Sequence, residues 1–201
     1  MRIWSIANQK GGVGKTTSVV SLGGLLAERG ARVLLVDLDP HGSLTSYFRY
    51  DPGSLETSLY DLFFNQRSKD LDYIRQVIRP TSSKGVNLLP ATTALATLER
   101  QVSGQDGMGL VLAKTLAQLW DDYDYALIDT PPILGVLLVN ALAACQRLVI
   151  PTQTEHLALK GLERMVHTLK MVMSSTFYSA FRLKNIYLIV IYIKKLYKEV
   201  L

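Results

Sequence analysis

The sequence predicts an α/β fold, a mostly parallel twisted sheet flanked by helices, in one domain that spans residues 1–201. Three short and mainly apolar runs support this prediction, at residues 3–7, 33–36 and 125–128. Continuous apolar runs are typical of parallel strands that are buried on both faces of a sheet. Segments with helical spacing separate the runs, and this alternation of strand and helix favours a parallel sheet.

A glycine-rich loop follows the first strand, with the sequence Gln9-Lys10-Gly11-Gly12-Val13-Gly14-Lys15-Thr16-Thr17. Glycines let the backbone approach a ligand closely, and the N–H groups of such a loop and of a helix N-terminus attract anions. Lys15 can reach the outer phosphates of a nucleotide, and the Thr16 hydroxyl can ligate Mg²⁺. Helical spacing after the loop predicts a helix over residues 15–29, ended by Gly30.

Acidic residues stand at the ends of the second and third strands. The second run leads to Asp37 and Asp39, and the third leads to Asp129 and then to two prolines that cannot continue a strand. Ligands of open α/β sheets bind at this edge. Mg²⁺ keeps most of its waters and takes few direct carboxylates, so Asp129 is expected to act on its water shell. The alternative for Asp37 and Asp39 is that they cap the following helix.

Shorter patterns predict the remaining elements. Helices are expected near residues 59–63, 71–78, 94–102, 112–119, 136–145 and 159–173, and strands at residues 86–90 and 147–151. Gly23 and Gly24, inside the first helix, indicate close packing on the sheet. Cys145 is the single cysteine, which excludes an intrachain disulfide, and it is expected to be a small core residue.

The net charge of +5 is concentrated towards the end of the sequence. Residues 176–201 hold five basic side chains and one acidic side chain, so the other 175 residues are nearly neutral. The basic isoelectric point therefore does not indicate that the body of the protein binds nucleic acid. No leader pattern opens the sequence and no apolar run approaches a membrane span, so a cytoplasmic protein is expected.

Three blocks of sequence resemble the ParA/MinD family of ATPases, whose mark is the deviant phosphate loop KGGxGK[ST]. The blocks are KGGVGKTT, VLLVDLDPHGS and YDYALIDTPP. The resemblance covers about residues 1–175, and the connecting text favours ParA over MinD. It implies a P-loop NTPase fold, ATP and Mg²⁺ as cofactors, and a slow, partner-stimulated hydrolysis of ATP to ADP and phosphate.

The resemblance also implies roles for individual residues. The nucleotide would be bound by Gly11, Gly12, Val13, Gly14, Lys15, Thr16 and Thr17. The metal site would consist of Thr16, Asp37 and Asp129. Asp129 would act through water, and Asp37 would be a secondary partner of the metal shell. The catalytic residues would be Lys10, Lys15 and Asp39.

Within that catalytic set, Asp39 would orient the attacking water. Lys10 would reach the phosphates of the other protomer in an ATP-bound dimer, as an arginine finger does. His41 stands where ParA proteins often carry Gln, and it is interpreted as a loop residue near the nucleotide, not as a base.

The function implied is that of an ATP-dependent dimerising switch that partitions or positions a cargo in a bacterial cell. The cargo would be a chromosome, a plasmid or a protein cluster such as a chemotaxis array. The expected partners are a second copy of the chain and a ParB-like or other stimulating adaptor. ParA proteins also bind DNA without sequence preference, so DNA is a further candidate partner, with association with the nucleoid.

Residues 176–201 depart from the family pattern. Residues 186–193 are apolar and β-branched, which favours the next strand of the sheet. On a helix, apolar residues between 189 and 200 would share one face, as in the membrane-targeting helix of MinD. The strand fits the residues better, and membrane binding is therefore not expected. The change in composition resembles a truncation or a frameshift.

Several other interpretations remain on the same fold. They are a MinD-like membrane-associated positioning ATPase, an inactive truncated ParA remnant and a bacterial tyrosine kinase with a tyrosine-rich tail. The tail tyrosines lie among Ile and Leu, unlike a flexible acceptor tail. A relative of the nitrogenase iron protein would need several cysteines. Amidoligases and synthetases would need a substrate domain, for which 201 residues leave no room.

Overall fold

The computed structural model describes residues 1–64, 67–101, 107–153, 156–174 and 187–193. Seven strands of these residues form one sheet in the order β3-β4-β2-β5-β1-β6-β7. The strands are β1 Arg2–Ile6, β2 Val33–Asp37, β3 Arg79–Pro80, β4 Val86–Leu89, β5 Tyr125–Asp129, β6 Arg147–Gln153 and β7 Tyr187–Ile193. All neighbouring strands pair in parallel except β3 and β4, so the predicted mostly parallel sheet is confirmed.

Helices cover both faces of the sheet. They are α1 Lys15–Glu28, α2 Ser43–Tyr47, α3 Leu59–Phe64, α4 Leu71–Val77, α5 Leu95–Gln101, α6 Val111–Gln118, α7 Val136–Ala144 and α8 His156–Ser174, with a 3₁₀ turn at Met108–Leu110. Among the described helices, none combines the length and the apolar character needed to cross a membrane.

Strand β2 shows why its sequence is continuously apolar. Leu34 and Val36 are fully buried in the larger core, which α3 to α7 cover. Val33 and Leu35 are fully buried in the core on the opposite face, beside α1. Because successive side chains of a strand point to opposite faces, residues 33–36, which lie between two helical layers, are all apolar, and only the last residue of the strand, Asp37, is charged.

The two glycines of α1 differ in their surroundings. A Cβ atom on Gly23 would lie 2.8 Å from Cδ2 of Leu35, so the helix approaches the sheet at this point as predicted. A Cβ atom on Gly24 would have no heavy atom within 4 Å. Close packing therefore accounts for Gly23 and not for Gly24.

Two regions complete the edges of the sheet. The helix predicted over residues 71–78 ends at Val77, and Arg79 and Pro80 form an antiparallel edge strand. Proline is tolerated on an edge because it need not donate a ladder hydrogen bond. At the other edge, β7 pairs in parallel with β6 over its whole length, so the strand predicted near residues 186–193 is confirmed. The alternative of a helix is wrong for residues 187–193.

Candidate phosphate-binding site

The glycine-rich loop connects β1 to α1 at the carboxyl edge of the sheet. Gly12 and Gly14 adopt φ angles of 72° and 86°. Residues with a side chain rarely take this left-handed conformation. Gly14 directly precedes α1 and no side chain caps that helix, so the N–H groups of its first turn face the loop. This arrangement suits an anion.

Neighbouring elements hold the loop in place. The side-chain amide of Asn8 donates to the carbonyl of Pro151 on β6, and its oxygen accepts from the backbone N–H of Lys10. Gln153, also on β6, donates to the carbonyl of Gly12 at 3.3 Å. Asn8 and Gln153 were missed by the sequence analysis. The only sequence signal for these two residues is their position, with Asn8 next to the glycine loop and Gln153 at the end of a strand.

Lys15 is the central cation of the site. Its side chain lies on the first turn of α1 and the residue is only 9% exposed. Burial lowers its pKa, while the nearby carboxylates of Asp129 and Asp39 act in the opposite direction. A buried ammonium group between two carboxylates and a set of loop N–H groups is well placed to receive phosphate oxygens.

Thr16 and Asp129 form a direct contact across the sheet edge. The Thr16 hydroxyl donates to Oδ2 of Asp129 at 2.6 Å, although the residues are 113 positions apart. Burial raises the pKa of Asp129 to about 6, and the Thr16 hydrogen bond and the charge of Lys15 limit that rise. A hydroxyl and a carboxylate oxygen are hard ligands of the kind that Mg²⁺ prefers, so this pair fits the ion.

Among the residues that the structure describes, there is no preformed metal cage. Within the described ranges, no three His, Cys, Asp or Glu side chains converge on one point. Mg²⁺ commonly takes one or two protein groups and completes its shell with water and substrate phosphates. The Thr16–Asp129 pair beside the loop is consistent with that mode of binding.

Asp37 is fully buried, and both of its carboxylate oxygens accept hydrogen bonds from other residues of the protein. Its Oδ2 accepts from the backbone N–H and the hydroxyl of Thr45, at 2.8 and 2.7 Å, and its Oδ1 accepts from the N–H of Asp39. Burial, and then the charge of Asp129, raise the pKa of Asp37 to about 7. The expected role of Asp37 as a secondary partner of the metal stays a prediction.

The register of the sheet brings the predicted acids together. Asp37 pairs with Asp129 across β2 and β5, and Ile6 pairs with Asp129 across β1 and β5. The phosphate loop and both acidic strand ends therefore meet at one place. Asp39 lies just beyond, with its side chain 16% exposed and within the electrostatic range of Lys15.

The other predicted residues surround this centre. Val13 is buried, whereas Gly11, Gly12 and Thr17 are exposed. A cleft of about 460 Å³ opens beside the loop, and Gly12, Thr17 and Gln153 lie on its wall. Lys10 is half-buried and lines a second cleft of about 220 Å³ together with Lys160, Gly161 and Arg164 of α8.

These features define a class of protein. A strand, a glycine loop and a helix position a buried lysine and a threonine that bonds a carboxylate at the end of a neighbouring strand. This is the arrangement of a P-loop nucleotide-binding protein.

Comparison with known proteins gives the family. The model of the AAA domain family matches residues 1–182. Over 171 residues the chain is 41% identical to the sporulation initiation inhibitor protein Soj of Bacillus subtilis. Over the same length it is 39% identical to the chromosome partitioning protein ParA of Myxococcus xanthus. The chain belongs to the AAA domain family and is a ParA/Soj-like P-loop ATPase.

The matched segment makes up most of this chain but less than two thirds of the full length of the two relatives. It covers 85% of the chain, 66% of Soj and 59% of the Myxococcus ParA. A solved structure is also similar, that of cobyrinic acid a,c-diamide synthase from Mycobacterium smegmatis with bound ATP analog and magnesium. Its TM-score is 0.83 at 36% identity, with 96% of this chain and 74% of that chain covered.

Proposed function

We propose that this protein is a Mg²⁺-dependent ATPase of the partitioning type, a switch that dimerises with ATP and positions a cargo. The observation that carries the proposal is the buried Lys15 between the glycine loop and the Thr16–Asp129 pair. A hydroxyl, a carboxylate and a cation in that arrangement match the outer phosphates of a nucleotide and their metal ion.

The ligand is proposed to be ATP with Mg²⁺. The similar M. smegmatis structure holds an ATP analog and magnesium, which supports this choice. Thr16 would contact the ion directly, and Asp129 would hold its water shell. When bound, Mg²⁺ would neutralise negative charge on the phosphate oxygens. Gly11 to Thr17 would bind the phosphates, with Lys15 at the outer ones.

The hydrolytic step is assigned to Asp39. Its carboxylate lies near Lys15 and is partly open to solvent, so a water molecule can reach it. Orienting that water towards the terminal phosphorus is the positioning role that such reactions require. Asp37 would act indirectly, because its oxygens hold Thr45 and the backbone of Asp39.

Dimerisation is assigned to Lys10. It stands at the start of the loop and lines the cleft beside α8, not the cleft that Gly12 and Thr17 line, which would suit a lysine that acts on the nucleotide of a second copy. A charge delivered only by docking would couple hydrolysis to dimerisation. The chromosome partitioning protein of M. xanthus supports a chromosome as the cargo. The family resemblance is the basis for proposing a stimulating adaptor, a plasmid or a protein cluster as the other cargoes, and the cytoplasm as the location.

The name of the M. smegmatis protein belongs to an amide-forming synthase, and that protein shares this fold along 96% of the present chain. The name of the M. smegmatis protein, together with the shared fold, favours a second candidate function, ATP-dependent amide formation. If the protein hydrolyses ATP when neither a carboxylate acceptor nor an amine donor is present, that result favours the partitioning ATPase over the amide-forming enzyme.

The test combines ATPase measurement with light scattering after size exclusion. The wild type, Lys15→Ala, Asp39→Ala and the control Lys84→Ala are compared with Mg²⁺ and ATP, ADP or no nucleotide. Lys84 is exposed and precedes β4, at the opposite edge of the sheet. We expect a dimer with ATP in the wild type, in Asp39→Ala and in Lys84→Ala, and not in Lys15→Ala.

Hydrolysis should be lost in Lys15→Ala and Asp39→Ala and retained in Lys84→Ala. A wild-type chain that neither hydrolyses ATP nor dimerises with it would overturn the proposal and favour an inactive remnant. Hydrolysis that persists in Lys15→Ala would show that the activity comes from elsewhere.

A further inference from the structure

His41 makes a contact with Asp39 that the family resemblance does not account for. The backbone N–H of His41 donates to Oδ1 of Asp39 at 3.0 Å, and the ring atom Nδ1 lies 2.9 Å from the same oxygen. A carboxylate can only accept, so Nδ1 carries the hydrogen of this bond. One residue therefore holds one oxygen of Asp39 with two donors.

The turn that carries His41 is anchored at both ends. Gly42 donates its N–H to the carbonyl of Asp39 at 2.8 Å and has a φ angle of 61°. A Cβ atom on Gly42 would overlap Pro52, so the turn is also packed from outside. Thr45, on the helix that follows, is bonded to the buried Asp37. His41 is thus presented to Asp39 by a fixed backbone.

We propose that His41 is a positioning residue for Asp39, which rests on the proposed ATPase function. Neither of the two described bonds uses Oδ2 of Asp39. With Oδ1 pinned, the carboxylate cannot rotate freely about its terminal bond, and Oδ2 keeps the direction from which it accepts a hydrogen bond from the attacking water. The orientation of a water-bonding group contributes directly to the rate of the step.

His41 acts through orientation and not as a proton acceptor. The ring atom Nδ1 already carries the hydrogen that it donates to Asp39, so this nitrogen cannot take a proton from the attacking water. The imidazole is 82% exposed and the carboxylate 16% exposed. Exposed pairs of this kind are weak, so the expected change in kcat is about three- to fivefold, well short of the loss on removal of Asp39 itself.

The test is steady-state ATP hydrolysis by three variants of the full chain. His41→Ala removes the ring donor and keeps the backbone donor. His41→Asn places an amide nitrogen on the δ atom that corresponds to Nδ1. Ser46→Ala is the matched control, because Ser46 is an exposed residue of the adjoining helix α2.

We expect His41→Ala to lower kcat about three- to fivefold with an unchanged KM for ATP, and His41→Asn to restore most of the rate. A kcat of His41→Ala within the error of Ser46→Ala would overturn the inference. A raised KM with unchanged kcat would do so too, because His41 would then bind the nucleotide. A wild type with no ATPase activity above Lys15→Ala would instead refute the proposed function. Thermal melting of each variant separates these outcomes from misfolding.

Discussion

The buried Asp37 makes stability depend on pH in a direction that can be predicted. Its pKa is about 7 in the folded protein, whereas an Asp side chain in the unfolded chain has its ordinary value of 3.8. The folded state therefore binds the proton more tightly. The stabilisation is complete below pH 3.8 and is lost as the pH rises through about 7.

The magnitude follows from the size of the pKa shift. One pKa unit corresponds to about 1.4 kcal/mol, and Asp37 is still half protonated at its own pKa, so the loss between about pH 5 and about pH 7 is about 2 kcal/mol. Asp37→Asn replaces the carboxyl with a neutral group of the same shape. We expect the free energy of unfolding of the wild type to fall by about 2 kcal/mol more than that of Asp37→Asn over this interval.

The assay is urea unfolding followed by circular dichroism, without nucleotide or Mg²⁺, at several pH values from 5 to 7.5. Asp124→Asn is the control, because the hydrogen bond from Arg32 lowers the pKa of Asp124 to about 2. Its titration therefore lies below the tested interval, and its profile should parallel the wild type. If the profile of Asp37→Asn also parallels the wild type, Asp37 is already ionised at pH 5 and the reasoning fails.

Four further predictions concern the helix and the loop. Gly24→Ala should raise the free energy of unfolding by about 1 kcal/mol through helix propensity. Gly23→Ala should lower the free energy of unfolding by up to about 2 kcal/mol, because the added methyl group meets Leu35. Equal effects of Gly23→Ala and Gly24→Ala in urea unfolding would contradict both of these predictions. Thr16→Ala should raise the Mg²⁺ concentration for half-maximal ATP hydrolysis at least about tenfold, and an unchanged Mg²⁺ titration would remove Thr16 from the metal site. Lys10→Ala should lower hydrolysis at least about tenfold with ATP binding retained; an equal loss of binding, measured by calorimetry, would place Lys10 at its own nucleotide.

Local patterns predicted the elements around the site. The first helix was predicted over residues 15–29 and is observed at Lys15–Glu28, because a glycine loop and a following glycine mark its ends. The edge strand β3 was not predicted, since two residues show no periodicity. Its position follows from Pro80, which biases the residue before it away from the helical region.

The site was only partly predictable. The residue types and their places at strand ends identified Lys15, Thr16 and the acids. The supporting contacts of Asn8 and Thr45 were not identified, because an amide or a hydroxyl near a loop has many structural roles. Their partners, Pro151 and Asp37, are fixed by how β6 and α2 pack.

The sequence by itself determined the phosphate loop and the strands that end in acidic residues. Glycine conformation, apolar runs and proline stops act over a few neighbouring residues, so they can be read locally. Only the tertiary structure decided that Thr16 bonds Asp129 and that Lys15 and Asp37 are buried with shifted pKa values. Burial and charge act through space, and the sheet register sets which distant residues become neighbours.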